Sequence, residues 1–95
     1  MLLTITVETI SYQFEVSLHS DNDKEYFCLA ILFPEKSVLI ARKEFPDGDW
    51  YQIEGGGFDA DLEDAVYNEV DAQFNKLKRS LTNVNVLKER YYDLL

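Results

Sequence analysis

Eight consecutive apolar residues, Tyr26 to Phe33, constrain the fold of this chain more than any other feature in it. In an extended strand, successive side chains point to opposite faces, so Tyr26, Cys28, Ala30 and Leu32 fall on one side and Phe27, Leu29, Ile31 and Phe33 on the other. Both sides then need cover, and one helix layer supplies only one. The flanking segments are half-buried strands by their period-two patterning. Ile10, Tyr12, Phe14, Val16 and Leu18 alternate with Ser11, Gln13, Glu15 and Ser17. Leu3, Ile5 and Val7 alternate with the opposite parity, so a turn or a bulge is required at Glu8-Thr9. Pro34-Glu35-Lys36 reads as a tight turn into a strand from Val38 to Phe45, and Pro46-Asp47-Gly48 as a second turn into a short strand from Trp50 to Ile53.

Gly55-Gly56-Gly57 ends the strands, and from Asp59 the period becomes helical. Leu62, Val66, Val70, Phe74, Leu77 and Leu81 lie within an arc of roughly 100°, the buried stripe of an amphipathic helix. Asp59 is the expected N-cap, with acids in the first turns and Lys76, Lys78 and Arg79 in the last, as the helix dipole prefers. Thr82-Asn83 breaks the pattern. Val84, Leu87, Tyr91 and Leu94/Leu95 then suit a short second helix, while Val84-Asn85-Val86 suits an edge strand equally well. The expected fold is one α+β domain over residues 1–95: an antiparallel meander of four to five strands, covered by one long amphipathic helix, with a short C-terminal helix.

Several chemistries are disfavoured by residue count. One cysteine forms no internal disulfide, and the start has no basic flank or apolar stretch of signal-peptide length, so a cytoplasmic, non-membrane protein is expected. Cys28 and His19 are the lone thiol and imidazole; the first reads as a small core residue and the second as a solvated strand end opening a polar loop. Structural zinc needs four such ligands. Asp59 to Asp64 starts with the spacing of a calcium loop, but Asp64 stands where glycine is required and Val70 where a bidentate glutamate belongs. The glycine triplet before the helix has the outline of a phosphate loop, yet acids surround it and the Walker residues are missing. No enzyme activity, metal or cofactor is expected.

Charge is the unusual property. Residues 46 to 71 carry nine acids and no lysine or arginine, which accounts for the whole net charge of −9; the other residues hold nine acids and nine bases. Direct binding to nucleic acid is therefore disfavoured. On the helix, Asp61, Asp64, Asn68, Asp71 and Asn75 follow a four-and-three spacing and form one longitudinal stripe. Tyr67 falls at the edge of the apolar arc, Glu63 sits anomalously inside it, and Asp47 and Asp49 stand at the turn before Trp50. Together with Glu54 these residues outline a candidate docking surface: Asp47, Asp49, Trp50, Glu54, Asp61, Asp64, Tyr67 and Asp71. A solvated helix face explains the stripe too; a row of carboxylates flanked by aromatics also suits a basic cleft on another protein.

No motif assigns the chain to a family. In size and charge it resembles small acidic inhibitors such as anti-CRISPR and DNA-mimic proteins, which implies stoichiometric binding to a basic, nucleic-acid-binding cleft. Gly57-Phe58-Asp59-Ala60-Asp61-Leu62-Glu63-Asp64-Ala65 is similar to the helix entry of HicB-like antitoxins, without the proline and glycine-cysteine segment expected before it. The alternatives are thus an antitoxin or immunity protein that neutralises a basic toxin, or a homodimeric scaffold that pairs through the second sheet face.

Overall fold

The computed structural model describes residues 1–20, 25–44, 48–54 and 57–83. Strands β1 (Leu2–Val7), β2 (Ile10–Ser20), β3 (Glu25–Phe33), β4 (Ser37–Glu44) and β5 (Tyr51–Glu54) form an antiparallel meander in sequence order. The parity change at Glu8-Thr9 is a two-residue turn. Val7 pairs with Ile10, Ile5 with Tyr12 and Leu3 with Phe14, so the opposite parities place both apolar sets on one face. Glu8 takes a left-handed φ of 57° to close it, as does Lys36 with φ 63° in the β3–β4 hairpin. After β5 come α1 (Ala60–Ala72), α2 (Phe74–Lys78) and a two-residue strand β6 (Thr82–Asn83) that pairs parallel to the end of β2. One edge of β2 is thereby shared: β1 takes Ile10 to Glu15, and β6 takes His19 and Ser20.

The two-faced character of β3 organises the interior. Tyr26, Cys28 and Ala30 join Leu3, Ile5, Phe14, Val16, Leu18, Leu39 and Ala41 in the main core, closed by Leu62, Val66, Val70 and Leu77 from the helices and by Trp50. On the opposite face Phe27, Leu29 and Ile40 form a second cluster, with Ile31, Val38 and Ile53 packed against it. The apolar run therefore serves two separate cores. Phe14, Val16, Cys28, Ala30, Leu39, Val66 and Val70 have no exposed surface, and truncating one such large side chain costs about 3–5 kcal/mol.

Several expectations need correction. The helix is not one long element: α1 has 13 residues, and Gln73, at φ −100° and ψ 10°, separates it from the five residues of α2. Hydrogen bonds from the Gln73 amide to Glu69 and from the Leu77 amide to Gln73 carry the chain through the bend, so Leu77 still reaches the core while Phe74 packs at its border. Asp59 holds the N-cap position, but its side chain makes no capping bond. His19 is no solvated strand end. It lies inside β2 at 4% exposure, its Nε2 2.8 Å from the Ser17 hydroxyl, because β2 runs on to Ser20 between β3 and β6. Trp50 precedes β5 rather than starting it. The expected C-terminal helix, the alternative strand at 84–86 and the turn at Pro46-Asp47 lie outside the described residues.

Candidate functional site

Period two on β4 and period 3.6 on α1 converge on one concavity. Leu39, Ala41 and Lys43 share the face of β4 that meets the helix, since Ala41 pairs with Cys28 and Lys43 with Tyr26. From α1, Asp64, Tyr67, Asn68 and Asp71 approach the same place, and the segment before β5 contributes Asp49 and Trp50. These seven residues line a pocket of about 370 Å³.

Asp71 is its organising group. The carboxylate Oδ1 accepts hydrogen bonds from both Lys43 Nζ and Trp50 Nε1, each at 2.8 Å. The Lys43 ammonium also sits 5.6 Å from the centroid of the Trp50 ring. Trp50 is 8% exposed and stacks on Tyr67, with centroids 6.3 Å apart and planes 18° from parallel. Tyr67 donates its hydroxyl to Glu63 Oε1 at 2.5 Å, and this explains the anomalous Glu63. It faces the apolar arc to accept that hydrogen bond. Burial, and then the hydrogen bond to Glu63, push the Tyr67 hydroxyl well above the usual tyrosine range, so it acts only as a neutral donor.

The site is thus an aromatic step, Trp50 over Tyr67, set among Asp49, Asp64 and Asp71 and tied down by Lys43. Three carboxylates against one ammonium leave an excess of two negative charges. Asp49 and Asp64 are exposed, and among the described residues neither forms an ion pair.

Five of the eight residues expected from sequence meet here: Asp49, Trp50, Asp64, Tyr67 and Asp71. Asp61 is exposed on α1 one turn before Asp64 and does not line the pocket. Glu54 belongs to a different concavity of about 360 Å³, with Ser37, Val38, Phe58 and Asp59 among its walls. Asp47 lies outside the described residues. The residue missed was Lys43. It lies just before the acid-only stretch, and the alternation Leu39, Ala41, Lys43 was the signal that points it at the helix. Its pairing with Asp71 removes one carboxylate from the open acidic stripe.

Cys28 lies apart from this site. It is completely buried, and loss of solvation pushes its thiol up to about 12, against the smaller opposing effect of a backbone hydrogen bond from Ala41. A thiol held so is a packing group. Among the described residues no helix is long and apolar enough to cross a membrane. Comparison with family models, curated proteins and solved structures finds no match. The residues alone carry the functional argument.

Proposed function

We propose that this domain is a non-catalytic binding protein that docks the Asp49–Trp50–Asp64–Tyr67–Asp71 concavity onto a basic surface of a partner protein. The observation that carries the reading is the meeting of uncompensated Asp49 and Asp64 with a preformed Trp50–Tyr67 step in one concave place. Carboxylates at the rim steer a cationic partner, while a rigid aromatic pair supplies contact area at low entropic cost. Trp50 is already fixed by Asp71, so little ordering is needed on association. In its finer form the proposal is inhibition: the acids occupy a cleft that otherwise holds a nucleic-acid backbone, as DNA-mimic proteins do.

The second sheet face is a weaker base for partner binding. There Phe27, Leu29 and Ile40 are covered within the monomer, and the apolar surface left open is dispersed, with Phe33 and Tyr51 41% and 43% exposed.

An arginine-rich oligopeptide titrated into labelled protein tests the proposal by NMR. Saturable shifts are expected at the Trp50 indole N–H and at Asp64, Tyr67 and Asn68, weakening with salt and abolished in an Asp49→Asn/Asp64→Asn variant. Shifts spread evenly over all acids, Asp61 and Glu35 included, would show a diffuse counter-ion effect and end the proposal. Competition between this domain and a DNA duplex for a basic DNA-binding protein tests the inhibitory form; failure to compete leaves binding without mimicry.

A further inference from the structure

Lys43 is the one base among the described residues that line the acidic concavity. Its Nζ donates to Asp71 Oδ1 at 2.8 Å and lies 5.6 Å from the centre of the Trp50 ring. A carboxylate at hydrogen-bonding distance beside an indole face within about 6 Å is the surrounding that any cationic side chain favours. The lysine therefore stands where a cation from outside would be held.

The frame of the site is tied by other bonds. Trp50 Nε1 has its own hydrogen bond to Asp71 Oδ1, Trp50 stacks on Tyr67, and Tyr67 is anchored through its hydroxyl to Glu63. The Lys43 ammonium is held by a single ion pair, whose carboxylate is open to water. Such a pair favours the closed arrangement by about fivefold or less, and the flexible stem of a lysine lets its ammonium turn outward. The neighbouring Arg42 is the contrast. Pairing of Lys43 with Tyr26 and of Arg42 with Phe27 sets the two bases on opposite faces of the sheet. There the Arg42 guanidinium donates to the Tyr51 hydroxyl, lies 4.9 Å from the centre of that ring and has Glu25 at 3.7 Å.

We infer, on the basis of the docking proposed above, that Lys43 is a built-in occupant of the cation position, displaced when an arginine side chain of the partner takes over its contacts with Asp71 and Trp50. Exchange of one ammonium for another gains nothing at Asp71. A guanidinium, by contrast, engages both carboxylate oxygens and lies flat on an indole, so arginine is the side chain that displaces lysine. Charge permits the exchange. Asp49, Asp64 and Asp71 together accept two cations and keep one negative charge, so the displaced ammonium does not expel the newcomer.

Hexaarginine titrated into the protein, followed by NMR and calorimetry, tests the inference. In the free protein the Trp50 ring current is expected to shift the Lys43 ε-methylene resonances, and at saturation these should return to the position of an exposed lysine such as Lys36. Lys43→Met vacates the position and is expected to bind hexaarginine about two- to fivefold more tightly than the wild type, the range that an open ion pair sets. Arg42→Gln removes the same charge on the far face of the sheet and is expected to change the affinity less. Lys43 resonances that lack the ring-current shift in the free protein or keep it at saturation, or a Lys43→Met protein that binds no more tightly than Arg42→Gln, overturn the inference; the docking proposal then still stands if the Trp50 indole and Asp64 respond to the peptide. Hexaarginine that moves no resonance of the concavity ends both. Should Lys43→Met not fold, the ε-methylene resonances of the wild type decide.

Discussion

Asp71 shows how one residue can be legible in kind but not in role. The helical spacing placed it on the outward stripe, and it lies there, half exposed at 47%. What the spacing does not contain is the partner 28 positions away on β4 that reaches across to it. A double-mutant cycle with Lys43→Met and Asp71→Asn is expected to give a coupling under about 1 kcal/mol, because the pair is open to water. Asp71→Ala is expected to cost more, about 1–2 kcal/mol in urea denaturation, since it also leaves the Trp50 indole N–H without its acceptor. Cys28 makes a prediction about alkali. Its folded pKa is raised from 9.0 to about 12, so its contribution is complete below the unfolded value and is lost as pH climbs through the folded one. The urea midpoint should therefore fall between pH 9 and 12 more steeply in the wild type than in Cys28→Ala. Glu8 is the opposite case, a residue held in a conformation that suits others better. Asn tolerates the left-handed region, and Glu8→Asn is expected to stabilise the hairpin by about 0.5–1 kcal/mol in thermal denaturation.

Among the elements, strands and their pairing order were readable because alternation and turn residues are local signals. Tyr12 to Leu18, the two-sided Tyr26 to Leu32 and the Leu62, Val66, Val70 stripe land where their periods put them, while Ile10 and Phe33 at the strand ends stay exposed. The misreadings have a common cause. His19 precedes a polar run and reads as a loop, yet β6 returns to cover that end of β2, a pairing written nowhere near it in the chain. The bend at Gln73 is silent for a related reason: the apolar period continues across it, and the Gln73 and Leu77 amides stay bonded. Position within an element also sets the cost of change. Phe14→Ala, in the covered centre of β2, is expected to lose about 3–5 kcal/mol, whereas Phe33→Ala, 41% exposed at the end of β3, is expected to change stability by about 0.5 kcal/mol or less.

For the whole molecule, charge and architecture are arranged separately. Among the described residues no carboxylate is buried in the sheet's two clusters, while Asp49, Asp64 and Asp71 meet at the β4, Trp50 and α1 corner. Crowded like charge opposes the compact state, and dissolved salt relieves it. The melting temperature is expected to rise between low and physiological ionic strength, and Asp64→Asn to show a smaller rise; a falling or flat salt profile in the wild type would mean that the Lys43 contact outweighs the repulsion.

The shared edge of β2 gives the molecule a seam of uneven strength. Along most of its length β2 is stitched by a hairpin neighbour that closes locally, whereas Thr82 and Asn83 arrive only after the whole helical segment has been laid down. So small a seal, closing so long a span, is the first to part under ordinary thermal fluctuation. The Thr82 and Asn83 amides should trade their protons for deuterium well before those of Val16 and Leu18, with the meander beneath still shut.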